Sequence, residues 1–108
     1  MDNVTPRLRL PKTAAKGEII TIKTLISHPM HNGERKGPDG QIIPRHIIFR
    51  FTAQFNGQQI LLIDINPSIS NNPYFVFDAI VPDAGEFRFV WEDEDGDIYT
   101  ETRTIELV

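Results

Sequence analysis

Alternation with a period of two residues governs this chain. Over residues 47–55 the residues Ile47, Phe49, Phe51, Ala53 and Phe55 are separated by Ile48, Arg50, Thr52 and Gln54, which builds one strongly apolar face only if the segment is a β-strand. Ile20, Ile22 and Ile26, and again Phe87, Phe89 and Trp91, repeat the pattern, so these segments should face one shared core. Asn56-Gly57 joins two apolar runs and signals a hairpin, because a type I′ turn needs positive φ at both central residues; Asp95-Gly96 repeats that signal. Further breaks at Pro82-Asp83-Ala84-Gly85 and Asn66-Pro67-Ser68 put strands near residues 6–10, 18–28, 45–56, 58–65, 74–81, 86–92 and 97–107, with no helix. About seven short strands in 108 residues describe an all-β, immunoglobulin-like antiparallel β-sandwich, with residues 1–108 as a single domain. The chain has no cysteine, so Trp91 and the phenylalanines would fill the place of the disulfide found in antibody domains.

Composition narrows the function classes. Net charge is −4, with the acidic excess at Glu92-Asp93-Glu94-Asp95 and the cations scattered, which argues against a nucleic-acid backbone as partner. No apolar run approaches the ~20 residues of a membrane span. Without cysteine the chain offers neither a thiolate nucleophile nor a Cys-based zinc site. The first residues hold no apolar signal region, which on that evidence alone points to the cytoplasm.

Two segments carry more apolar surface than a strand with one wet face needs. Leu61, Ile63 and Ile65 make one face of their strand while Ile60 and Leu62 make the other; Tyr74, Val76 and Ile80 likewise oppose Phe75, Phe77, Ala79 and Val81. Either the long connections at 29–44 and 66–73 fold over the surplus, or another protein covers it.

Chemistry has few candidates. His28, Met30 and His31, with His46 beyond the loop, would suit a copper ion, and a periplasmic metal-binding sandwich is the alternative reading; Pro29 and the lack of neighbouring acids weigh against it. Ser27 and His28 point to opposite faces of a strand and make no dyad. Asp93 and Asp95 read as the solvated tip of a hairpin, and GERKGPDGQ lacks the phosphate-loop pattern. No catalytic residue, cofactor or metal site is assigned, and an enzyme is not expected.

The segments IKTLISHPMHNGERKG, IPRHII, DINPSISNNPYFVF and GEFRFVWEDEDG, in that order over nearly the whole chain, resemble the SoxZ family, the small subunit of the SoxYZ carrier complex of bacterial sulfur oxidation. The resemblance implies a β-sandwich subunit that is not itself catalytic and forms a heterodimer with a SoxY-like chain, whose C-terminal cysteine holds sulfur intermediates during thiosulfate or sulfide oxidation. It also implies passing contacts with other sulfur-oxidation enzymes and a periplasmic location, reached by co-export with a signal-bearing partner. Under that reading Ile60, Leu62, Tyr74, Phe75, Phe77, Met30 and His31 are candidates for the partner interface, and His28, Arg35, Lys36 and Arg45 for a recognition loop.

Overall fold

The computed structural model describes residues 6–28, 30, 33, 36–42, 46–65 and 74–108. Eight strands lie among them: β1 (Pro6–Arg9), β2 (Thr13–Ala14), β3 (Glu18–Ile26), β4 (Ile48–Phe55), β5 (Gln58–Asp64), β6 (Tyr74–Val81), β7 (Gly85–Asp93) and β8 (Ile98–Leu107). They form a three-stranded sheet in the order β1-β3-β6 and a five-stranded sheet in the order β2-β8-β7-β4-β5. Every pairing is antiparallel except β2 with β8, where Glu106 and Val108 donate their N–H groups to the carbonyls of Lys12 and Ala14. The fold is thus the all-β sandwich that the alternation implies, with one strand more; β2 spans only two residues and leaves no periodic trace.

Alternation decides which side chains meet between the sheets. From β3 come Ile20, Ile22, Thr24 and Ile26, and from β7 Phe87, Phe89 and Trp91, all buried. Phe51 of β4 is the hub: its ring lies 5.1 Å from Trp91, 5.5 Å from Phe75 and 6.4 Å from Phe89, tying the five-stranded sheet to β6. Such ring pairs add roughly 0.5–1.5 kcal/mol each beyond the area they bury. Trp91 and the phenylalanines therefore occupy the centre of a core that no disulfide staples.

Local departures from the simple pattern have physical causes. The β4–β7 register shifts between Ile48 and Arg50, so the phase slips by one residue: Ile48 is buried and Phe49, placed on the core face by alternation alone, is only partly so. Asn56 and Gly57 both adopt positive φ (49° and 83°), as a type I′ turn requires. The Asn56 amide then docks on the neighbouring turn, accepting from the Glu86 N–H at 2.9 Å, and sits so close to Gly85 that any side chain there would collide with it. Asp95-Gly96 is not a second I′ turn. Only Gly96 has positive φ, and the longer loop is held by Asp93, whose Oδ1 accepts the N–H groups of Asp95 and Asp97, each at 3.0 Å. His31, Arg35, Arg45 and the segment 66–73 lie outside the described residues.

Candidate functional site

β5 ends the five-stranded sheet and β6 ends the three-stranded one, and the two edges adjoin along one side of the sandwich. A groove of about 360 Å³ runs between them, lined by Ile60, Leu61, Phe77, Asp78, Ala79 and Ile80. Outward alternation leaves Ile60 and Leu62 of β5 and Tyr74, Val76 and Ile80 of β6 between 43% and 61% exposed. Ile60 sits at a bulge, since Ala53 pairs with Leu61 and Gln54 with Gln59, leaving Ile60 without an opposite residue. Sheet edges are normally blunted by charge or proline, yet Asp64 and Asp78 are the only charged residues of these two strands. The described part of the long connection does not cover this surface; it turns back on itself through a Lys36–Ile42 bridge and leaves Ile42 exposed.

The structure turns inward three residues suggested for the interface, Phe75, Phe77 and Met30, and one suggested for the recognition loop, His28. Phe75 and Phe77 turn inward, because they pair with the buried Thr24 and Ile22 of β3; Phe75 stacks on Phe51 and Phe77 meets the same ring edge to face. Met30 is buried rather than presented: it takes a left-handed φ of 50°, and its Sδ receives the Ile48 N–H at 3.2 Å. His28 is also buried, in phase with Ile22 and Ile26, and its Nδ1 accepts the Met30 N–H at 3.0 Å. Lys36 stays exposed on the loop.

A polar cluster at the neck of that loop joins His28 and His46, which the sequence reading groups, to Asp93, which that reading places at a solvated hairpin tip and the structure buries. His28 follows β3 in one sheet and His46 precedes β4 in the other; their rings meet edge to face with centroids 4.8 Å apart. Asp93, at the end of β7, is buried beneath them. Its Oδ2 accepts from His46 Nε2 at 3.1 Å and from the Tyr99 hydroxyl at 3.0 Å, with His28 Nε2 3.9 Å away. Burial pushes the Asp93 carboxyl up, but the His46, Asp97 N–H and Tyr99 hydrogen bonds and the charge of His46 outweigh it and hold the group below its ordinary 3.8. Burial, together with the hydrogen bond to Asp93 and the charges of Asp93, Asp97 and Asp95, pushes the Tyr99 phenol up to about 12. The available signal was Asp93-Glu94-Asp95-Gly96, since Asp at the first and Gly at the fourth position mark a turn in which Asp caps the backbone.

His28, His46 and Asp93 bring donor atoms within 4.8 Å of one another, a spacing compatible with a cation. Without an ion the same atoms are engaged in hydrogen bonds. Because His28 Nδ1 accepts a backbone N–H, the neutral ring carries its proton on Nε2, the atom facing Asp93. His46 Nε2 lies 3.1 and 3.2 Å from the carboxylates of Asp93 and Asp95, so in the tautomer with its proton on Nε2 it donates to them. Asp93 already accepts from four donors. The cluster is a hydrogen-bond lock that pins the base of the loop to the β7–β8 hairpin, reinforced where Ile47 and Glu94 exchange hydrogen bonds.

A family profile described as "Sulphur oxidation protein SoxZ" matches residues 8–104. No curated protein sequence matches the chain. Among solved structures, a superoxide reductase (neelaredoxin) from Ignicoccus hospitalis is similar at a TM-score of 0.72 and 11% identity, over 96% of this chain and 80% of that one. The sulfur carrier protein SoxY from Chlorobium limicola f thiosulfatophilum is similar at 0.67 and 13% identity, over 95% and 78%. The CARDB domain of a Pyrococcus furiosus protein, in complex with di-metal ions, is similar at 0.57 and 11% identity, over 98% and 94%. At such identities these structures share the fold with this chain and nothing finer.

Proposed function

The chain belongs to the SoxZ family of sulphur oxidation proteins, and from that premise we propose that it is the noncatalytic subunit of a heterodimeric sulfur-compound carrier. It pairs with a SoxY-like chain, whose cysteine holds the sulfur intermediate, and works in the periplasm after export with that partner. The observation that carries this reading is the unblunted apolar character of the edge strands β5 and β6, where Ile60 and Leu62 of one and Tyr74, Val76 and Ile80 of the other remain exposed on either side of a shared groove. Burying their exposed halves would contribute ~1 kcal/mol each, ~5 kcal/mol together before association costs. That a SoxY chain shares this fold supports a pair of like sandwiches meeting through their sheet edges.

Its mechanism is scaffolding. The partner gains a rigid apolar platform, and the loop anchored by His28, His46 and Asp93 adds surface for the enzymes that act on the complex in turn. Co-expression with a SoxY-like chain tests this directly: solution mass should report a one-to-one heterodimer, and a chain that stays monomeric beside the partner would refute the reading. Copper or zinc content of the same sample addresses the metal-binding alternative, which requires near-stoichiometric metal.

A further inference from the structure

The outer face of the three-stranded sheet carries a second feature. A groove of about 400 Å³ crosses β1, β3 and the start of β6, bounded by Arg7, Arg9, Lys23, Leu25 and Tyr74. Register fixes these side chains on one face: Arg7 lies opposite Leu25, Leu25 opposite Tyr74, and Arg9 opposite Lys23. Like charges directly opposite on neighbouring strands repel. Neither is relieved by an acid, since the cations in ion pairs with acids among the described residues are Arg50, Arg103 and the histidines. Asp78, on the same face one row beyond Lys23 and Val76, accepts instead from the Thr21 hydroxyl at 2.9 Å. A chain of net charge −4 thus gathers three cations around one concavity with no ion-paired acid among the described residues.

We propose that this groove binds a tetrahedral sulfur oxyanion, its terminal oxygens accepting from Arg7, Arg9 and Lys23. An anion between Arg9 and Lys23 turns a repulsive pair into two charge-assisted contacts, and the guanidinium fork suits a sulfonyl edge. Choosing a sulfur oxyanion rests on the function proposed above. Tyr74 belongs both to the groove and to the apolar edge, so an oxyanion held by the partner could reach the site as readily as a free one.

The test uses the isotope-labelled full chain and NMR. Sodium sulfate and sodium thiosulfate, against sodium chloride at matched ionic strength, should produce saturable shifts at the amides of residues 7–9, 23–25 and 74. Arg9→Gln with Lys23→Gln should weaken binding by about tenfold or more, as expected for two charge-assisted contacts, while Lys23→Arg retains it. A second arm compares the complex with a SoxY-like partner whose cysteine is S-sulfonated or capped with a neutral group; shifts at the same amides only in the sulfonated complex identify a partner-held ligand. Saturable shifts there in either arm support the site. Their absence from both, or non-saturable shifts spread over Lys12, Lys16 and Arg88, would overturn it. The first arm needs no partner, so failure of heterodimer formation counts against the proposed function and leaves the groove to be judged by itself.

Discussion

Replacing Asp93 by Asn isolates the charge of the buried lock while keeping its shape. The carboxylate accepts from the N–H groups of Asp95 and Asp97 at Oδ1 and from His46 Nε2 and the Tyr99 hydroxyl at Oδ2. An amide oxygen can keep the two backbone donors, and the amide NH₂ can donate to the Tyr99 hydroxyl oxygen once that group turns, but every bond then lacks the carboxylate charge. Hydrogen bonds to a charged acceptor are worth about 1.5–3 kcal/mol each against about 1 kcal/mol for neutral ones, so weakening four of them should cost roughly 3 kcal/mol or more. For a chain of this length that lowers the melting temperature by about 12–24 °C. The sign with pH follows from the depressed carboxyl. Its contribution is present above the unfolded-state value near 3.9 and is lost as pH falls through the lower folded-state value. Urea unfolding at pH 7 and in acid should therefore show a wide gap between wild type and Asp93→Asn at neutrality that closes below about pH 4. A variant within ~0.5 kcal/mol of wild type at pH 7, or a gap of equal size in acid, would refute the reasoning.

Three further outcomes follow from other parts of the structure. The raised Tyr99 phenol predicts stability that falls as pH climbs from about 10 to about 12, and alkaline unfolding of Tyr99→Phe should lack that limb. Phe51→Ala removes the ring that ties β4 to Phe75, Phe89 and Trp91 and should cost about 3–5 kcal/mol in denaturant unfolding. Gly57→Ala places a side chain at φ 83° and should cost roughly 1 kcal/mol, measured the same way, without changing the hairpin register.

How much the sequence revealed depended on the range of the interaction. Strand placement was legible because period-two alternation is local, and Asn56-Gly57 was legible because its backbone requirement is carried by two neighbours. Alternation also separated the faces of β5 and β6, but not which face was the core: Phe75 and Phe77 look as free as Tyr74 and Val76 until the register with Ile22 and Thr24 is known. The bulge beside Ile48 is one residue long and carries no motif, so the phase slip at Phe49 was invisible. Least legible was the lock. His28, His46 and Asp93 are far apart in sequence and meet only because the chain crosses between sheets there, and an acidic run at a hairpin resembles solvated surface until one of its members is found buried.

The central claim is that the adjoining edges of β5 and β6 receive the partner. Leu62 and Ile80 are 47% and 61% exposed, so Leu62→Asp with Ile80→Asp should leave the isolated chain folded while placing two charges in the interface. The dissociation constant for a SoxY-like partner, measured by titration calorimetry with circular dichroism as the check on folding, decides the matter. The account predicts weakening by about a hundredfold or more, from lost apolar burial and two buried charges. A folded double variant that binds the partner as tightly as wild type would contradict it.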